Sequence, residues 1–413
     1  MDIYVILLKT KKGEKMKQIL NMVTAFFIYP FLKFKFKNRN IWLVGGNAGE
    51  LYVDNGKAMF EYLNTKEDLE VYWVINAGSP AFNDVKGSKL LRGSVKAYLY
   101  FMNSKVSLFS HSISADIVPY LFVVPLINRF HYKVTKVFLN HGTVGLKKRQ
   151  PMNPKLEKLI NKLIKSYDIN TADAEYEKKI KNLDWGIDER KIHITGSPRY
   201  DSLEKETSFE KDRIFFMPTW RPWLKDNENI EKTAYFQNIT GLISNDKLQD
   251  LLRENGVELR IYIHQLMHKY LKEFRENITD ENVILLPKEA DIQNEIMTSR
   301  LLITDYSSIS FDFFYIDKSV LFFQFDKAEY NEKVGAYIDL EKDLFGPAAF
   351  DINSCVTEIM RMYKENFQIE DDYKKMKDSY FKYNDKGNSE RLFKIIEGEI
   401  IGKRKNINNN SAV

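Results

Sequence analysis

Two short stretches of this sequence carry reactive side chains at the ends of apolar runs. In Val137-Phe-Leu-Asn-His-Gly-Thr143 a strand pattern delivers His141, followed by Gly142, Thr143 and the cations Lys147, Lys148 and Arg149. A neutral imidazole has an ordinary pKa of about 6.5, so His141 suits removal of a hydroxyl proton near neutral pH. In Leu302-Ile-Thr-Asp-Tyr-Ser-Ser-Ile-Ser-Phe-Asp312 a strand runs into a hydroxyl-rich turn and then a helix. The first amides of a helix lack intrahelical partners and carry the positive end of its dipole, which fits Ser307, Ser308 and their amides to hold a phosphate. One stretch offers a base and the other an anion holder.

Other residues supplement these two. Arg221 follows a strand pattern and the turn Pro218-Thr219, where a guanidinium is expected to make a forked contact to a diphosphate. Its neighbours Trp220 and Trp223 are expected to pack between domains. Asp305 adjoins the anion holder and is expected to orient Ser307 and Ser308. His111, after Val106–Ser110, either lines the same site or is structural, and His131 and His193 read as structural. The single cysteine, Cys355, excludes an intrachain disulfide and a multi-cysteine metal site; with no adjacent base it is expected in a core. A GxxxxGK[ST] phosphate loop and an HExxH zinc pattern are both absent, no metal-ligand cluster is visible, and no cofactor is firmly implied.

These side chains need a large scaffold. At 413 residues, 44% hydrophobic and 29% charged, the chain exceeds a usual single core, so two domains are expected. Beyond residue 40, strand patterns at 41–46, 71–77, 106–110, 137–139 and 191–196 alternate with helical patterns at 54–63, 154–166 and 174–182. A charged break at 203–213 precedes a second series, with strands beginning at Arg213, Leu259, Val283, Leu301 and Val320. Strands alternating with helices imply parallel sheets covered on both faces. The expectation is two doubly wound, Rossmann-like α/β domains, 41–205 and 206–395, facing across a cleft in a GT-B-like arrangement, with a polar tail at 396–413. Ligands in such sheets sit at the carboxyl ends of strands, where each motif above falls.

Charge is unevenly placed. Residues 1–40 hold nine basic and two acidic residues, a net +7 within a chain of +5, so the remainder carries −2. Between the basic clusters, residues 19–32 are apolar but shorter than the ~20 residues a span needs, and are broken by Asn21, Thr24 and Pro30. This segment is expected to lie at a membrane interface, with Phe26, Phe27, Tyr29, Phe31 and Phe34 in lipid and lysines on anionic headgroups; docking on the protein's own core is the alternative. Nucleic-acid binding is disfavoured, because the basic excess is confined to this segment.

The motifs together resemble the CDP-glycerol glycerophosphotransferases of teichoic acid and capsule synthesis, over roughly residues 40–395. The resemblance rests on His141-Gly142-Thr143, Pro218-Thr219-Trp220-Arg221, Thr304-Asp305-Tyr306-Ser307-Ser308 with Phe311-Asp312, the Phe322–Tyr330 stretch and Gly346-Pro347. It implies transfer of glycerol phosphate from CDP-glycerol to a lipid-linked saccharide hydroxyl, with release of CMP, by a peripheral enzyme at the cytoplasmic face of the membrane. CDP-ribitol is the alternative donor; a nucleotide-sugar glycosyltransferase of the same architecture and a non-catalytic membrane scaffold are the competing classes. The family's implied site comprises His141 and a second histidine as catalytic residues, with Gly142, Thr143, Thr219, Arg221, Thr304, Asp305, Ser307 and Ser308 binding substrate. His264, at the end of Leu259–Ile263, is the expected second histidine, although the family's preceding basic residue is missing; His268 is the alternative.

Overall fold

A computed structural model of the chain describes residues 12–120, 133–150, 153–204, 211–224 and 229–410. Its contacts divide the chain into two units, one of Met1–Thr143, Asn153–Ser202 and Lys382–Val413, the other of Val144–Met152 and Leu203–Phe381. His131, Asp2, Lys9 and Lys11 lie outside the described residues.

The first unit is built on seven parallel strands: β1 Ile41–Gly45, β2 Glu70–Ile75, β3 Lys89–Leu91, β4 Val106–Phe109, β5 Thr135–Phe138, β6 Ile169–Ala172 and β7 Ile192–Ile194. Their order is β3-β2-β1-β4-β5-β6-β7, so the winding direction reverses between β1 and β4. The central strands are buried along their whole length, as a parallel sheet covered on both faces requires. Trp42, Phe60, Trp73 and Val137 form one face of the core.

The second unit repeats the plan with six parallel strands: β8 Arg213–Phe216, β9 Glu258–Ile261, β10 Val283–Leu285, β11 Leu301–Thr304, β12 Ser319–Phe323 and β13 Ala348–Ala349. Their order is β10-β9-β8-β11-β12-β13, reversing between β8 and β11. Cys355 is buried in this core, and burial pushes its thiol pKa up. Trp220 belongs to the same core, against the expectation that it packs between domains.

Chain ends depart from the sequence boundaries. Residues 396–413 were expected as a polar tail, yet one helix runs over Asn388–Asn410. Leu392 and Ile396 seat it on the first unit's core, with Phe393 against Trp42, so the chain returns to that unit at Lys382 rather than continuing the second to 395. At the other end a helix spans Lys12–Leu32, followed by a 3-10 turn at Lys33–Phe36. Gln18, Met22 and Ala25 are buried on one face, and Asn21 Nδ2 donates to Gly93 O at 3.0 Å, docking the helix beside Val95–Asn103. The other face exposes Met16, Leu20, Phe27, Phe31 and Phe34, spaced as a single helical stripe. Phe26 and Tyr29 are half-buried instead. The stretch Gly13–Phe36 is long and apolar enough to cross a membrane by length and composition.

Candidate active site

In the first unit the relevant loops follow β1, β4 and β5. After β5, Asn140 takes a left-handed backbone (φ 60°), accepts the His141 amide on Oδ1 at 3.0 Å and donates through Nδ2 to Gly142 O at 2.6 Å. This turn pushes His141 out to an exposed position at the sheet rim. Its ring stacks on His111, two residues beyond the end of β4, at 4.5 Å between centroids and 10° between planes. His111 is buried; its Nδ1 lies 3.7 Å from Asp116 Oδ1, and its amide donates to Asp116 Oδ2 at 2.7 Å. Burial alone would raise the Asp116 carboxyl, but His111 and the amides of His111 and Ala48 hold it below the ordinary carboxylate range.

Thr143 turns inward rather than toward a ligand. Its hydroxyl donates to Asp173 Oδ2 at 2.6 Å and lies 2.7 Å from Tyr200 OH, while Ser197 Oγ donates to Asp173 Oδ1 at 2.8 Å. Burial, reinforced by Glu177, pushes the Asp173 pKa up to about 6. Thr143 is therefore an anchor for the His141 loop, a correction to its expected role in binding substrate. His193 is half-buried on β7.

In the second unit the loops after β8 and β11 meet at the switch point. Thr304 Oγ1 donates to Met217 O at 2.7 Å and Asp305 Oδ1 accepts the amides of Thr219 (2.9 Å) and Tyr306 (2.6 Å). Arg221 is 0% exposed. Its Nη2 lies 2.8 Å from Asp305 Oδ2, and it forks onto Asp326 through Nε (2.6 Å) and Nη2 (2.9 Å). Rings of Tyr235, Tyr306, Phe325 and Tyr330 surround the guanidinium at 5.2–5.6 Å. Burial would lower its pKa, but the two carboxylates overcome that and raise it.

Three expectations change with this geometry. The Arg221 fork is spent on Asp326, so no diphosphate reaches it. Asp305 orients the Thr219 turn and Arg221, not Ser307 and Ser308. Thr304 ties β11 to the β8 loop and is fully buried. Thr219 contributes its amide to Asp305, while its buried hydroxyl has no partner. Ser307 Oγ accepts only a long 3.5 Å bond from the Ile309 amide, and Ser308 makes no side-chain cap on the helix Ile309–Tyr315. Both serines are half-buried.

The two histidines after β9 differ in how they are held. His264 Nδ1 accepts the Leu266 amide at 3.2 Å, so the ring proton of the neutral form sits on Nε2. Burial drives its pKa down to about 3, with Lys147 adding to the shift. Trp220 lies over it at 6.0 Å and Lys147 over Trp220 at 5.8 Å. His268 instead bonds Ile263 O through Nε2 at 2.8 Å. The backbone thus engages Nδ1 of His264 but Nε2 of His268. Among the described residues no group of three or more His, Cys, Asp or Glu could hold a metal ion. A cavity of ≈ 490 Å³ lies by β13, lined by Lys327, Glu341 and Phe350 among others, and includes none of these site residues.

A family model described as CDP-glycerol:poly(glycerophosphate) glycerophosphotransferase matches residues 27–398. The chain belongs to this family. It is accordingly a transferase of phosphate-containing groups. Among relatives, the minor teichoic acid biosynthesis protein GgaB of Bacillus subtilis is 26% identical over 94% of this chain and 43% of its own length. The teichoic acid glycerol-phosphate transferase of Staphylococcus aureus is 25% identical over 80% of this chain and 86% of its own. Thus the chain spans less than half of GgaB. The wall teichoic acid polymerase TagF shares the fold, with a TM-score of 0.67 at 20% identity over 95% of this chain and 99% of that one. His111 and Asp116 are the members of the rim that sequence reasoning left undecided or missed; the spacing His111 to Asp116, across a Ser112-capped turn, was the available signal.

Proposed function

We propose that this chain transfers glycerol phosphate from CDP-glycerol to the hydroxyl of a lipid-linked acceptor in teichoic acid or capsule synthesis. The observation that carries the reading is the exposed His141 at the end of β5, backed by His111 and Asp116, in a chain of the glycerophosphotransferase family. His141 takes the acceptor hydroxyl proton. The alkoxide oxygen forms a bond to the phosphorus bearing glycerol, the bond from that phosphorus to the CMP oxygen breaks, and the proton leaves His141 to solvent. In the second unit, the Ser307 and Ser308 hydroxyls and the His264 Nε2–H donate to the donor's phosphates; donors aimed at developing charge are a large source of such catalysis.

The apolar stripe of the N-terminal helix, flanked by exposed Lys17, Lys33, Lys35 and Lys37, supports peripheral attachment to an anionic membrane at its cytoplasmic face, where a lipid-linked acceptor lies. The test is mass analysis of products after purified protein meets CDP-glycerol, CDP-ribitol or a UDP-sugar with a defined lipid acceptor. A mass gain of one or more glycerol phosphates with CDP-glycerol, and CMP release, is the expected outcome. A gain only with CDP-ribitol moves the donor assignment, and a gain only with the UDP-sugar overturns the reaction class.

A further inference from the structure

The first unit contains a guanidinium whose hydrogen-bonding groups its own fold leaves only partly satisfied. Arg92 directly follows β3, and its amide donates to Ile75 O at 2.8 Å, which places it at the carboxyl rim of the sheet. Its stem passes over Gly49, where a Cβ would lie 3.1 Å from Arg92 Cδ, and its Nη2 donates to Ser114 O at 3.3 Å in the turn after β4. The guanidinium thus crosses from β3, over the glycine turn that follows β1, to the β4 side of the switch point. Its Nε is buried without a hydrogen-bond partner, and among the described residues no carboxylate forms an ion pair with it. Burial lowers its pKa, and the charges of Asp116 and Glu50 offset that only in part.

Nearby carboxylates are already engaged. Asp116 accepts the amides of Ala48 (2.9 Å), Ser110 (3.0 Å) and His111 (2.7 Å), and Glu50 accepts Asn76 Nδ2 at 2.8 Å. Two hydroxyls in the segment after β4 are orphaned as well. Ser110 is 1% exposed with an unpartnered Oγ, which lies 3.5 Å from where a Gly46 Cβ would stand; Ser114 Oγ is likewise buried and unpartnered. Buried donors without acceptors are rare in native folds. After β1, Asn47, Ala48 and Gly49 hold successive left-handed conformations (φ 48°, 53° and 78°) that turn the chain at the sheet rim. In doubly wound sheets this reversal point is where ligands bind.

We propose that Arg92, with the hydroxyls of Ser110 and Ser114, forms a phosphate-binding site of the first unit. The site and its preference for a phosphate group stand on the geometry alone; assigning that phosphate to the acceptor, one glycerol phosphate back from the attacking hydroxyl, rests on the proposed transfer reaction. Arg92 reaches the β1 and β4 ends, and His141 sits at the end of β5, so they are separated by one or two strand spacings, about 5–10 Å. A phosphate held by Arg92 would present the next hydroxyl of the same polymer to His141.

Calorimetry on the full chain tests this, with sn-glycerol 3-phosphate as the probe and saturating CMP to fill the nucleotide site. Binding of the probe should persist in CMP and weaken tenfold or more in Arg92→Gln, with Arg92→Lys intermediate and CMP affinity unchanged in both. In turnover, Arg92→Gln should raise the KM for a phosphate-bearing acceptor tenfold or more and leave the KM for the donor alone. Wild-type probe affinity in Arg92→Gln overturns the site, and so does probe binding that CMP abolishes, since the phosphate then occupies the donor site. Should Arg92→Gln fail to bind CMP through misfolding, Ser110→Ala serves: a severalfold loss of probe affinity supports the site and unchanged affinity overturns it. A protein that transfers nothing from CDP-glycerol would defeat the transfer reading while leaving these binding measurements decisive for the site.

Discussion

The two units share one topology but treat the arginine near their switch points in opposite ways. In the second unit Arg221 is wholly buried, held by Asp305 and Asp326 and walled by four aromatic rings. In the first, Arg92 meets one carbonyl and leaves Nε without a partner. A buried cation whose fork is filled by the protein's own carboxylates cannot also bind a ligand anion; it fixes the backbone that does. Arg221 thereby joins the loops after β8, β11 and β12 behind the Ser307–Ser308 turn, which is left to present hydroxyls. The first unit instead leaves its donors unfilled at the rim where His141 is exposed.

The comparison breaks most sharply at Arg221. Replacing it with Leu strands Asp305 and Asp326 in an apolar cage, which should cost about 3–5 kcal/mol of stability in denaturant unfolding. If the variant keeps wild-type stability and loses only donor affinity, Arg221 is a ligand group and the contrast between the units is mistaken. His141→Ala should act oppositely, lowering kcat about a hundredfold or more with an unchanged unfolding midpoint, because an exposed imidazole supplies chemistry rather than packing. The pH dependence of stability reports on His264. His264 has a folded pKa of about 3, below its ordinary value, so between about pH 3 and 6.5 the unfolded chain binds more protons and stability falls as pH falls. His264→Gln should flatten that loss in thermal melts.

Much of this arrangement was legible in the residues. His141 and the Ser307–Ser308 turn stand at strand ends because short apolar runs stop there, and sequence shows such stops directly. What it concealed was the partner of each polar group. Arg221 and Asp305 are 84 positions apart and Asp326 a further 21, so nothing local revealed that the arginine's fork was already taken. Strands β3, β6 and β13 were also missed. β3 and β13 are only three and two residues long, and β6 reads Ile-Asn-Thr-Ala because Asn170 and Thr171 bond Lys191 O and Leu139 O across neighbouring segments. The C-terminal helix was hidden by its polar outer face, since only Leu392 and Ile396 are fully buried in the core, with Phe393, Ile395 and Ile400 packed partly against it.

A smaller effect sharpens the donor side. Changing Ser307 and Ser308 together to Ala removes two hydroxyl donors worth about 1 kcal/mol each and leaves the amides, so the KM for CDP-glycerol should rise about thirtyfold at most. CMP affinity by calorimetry should weaken alongside it. Stability should hardly move, because Ser308 makes no cap and Ser307 only a long one. An unchanged donor KM would place the phosphates elsewhere in the second unit.

The smallest effect is expected where charge is most exposed. Lys35 lies in the 3-10 turn after the N-terminal helix, between Phe34 and Phe36, and its side chain points to solvent beside the apolar stripe. A basic residue near an anionic membrane contributes about 1 kcal/mol, which is about fivefold in binding. Lys35→Gln should therefore weaken association with anionic vesicles about fivefold at low salt, and the difference from wild type should shrink as salt screens the surface. Turnover on a soluble acceptor should be unaffected, because the residue belongs to neither rim. Phe31→Ser, removing one of the most exposed rings of the stripe, should weaken vesicle binding in a way that salt does not erase. If both variants bind vesicles like the wild type, the stripe does not face a membrane, and the docked face of Gln18, Met22 and Ala25 becomes the whole purpose of the helix.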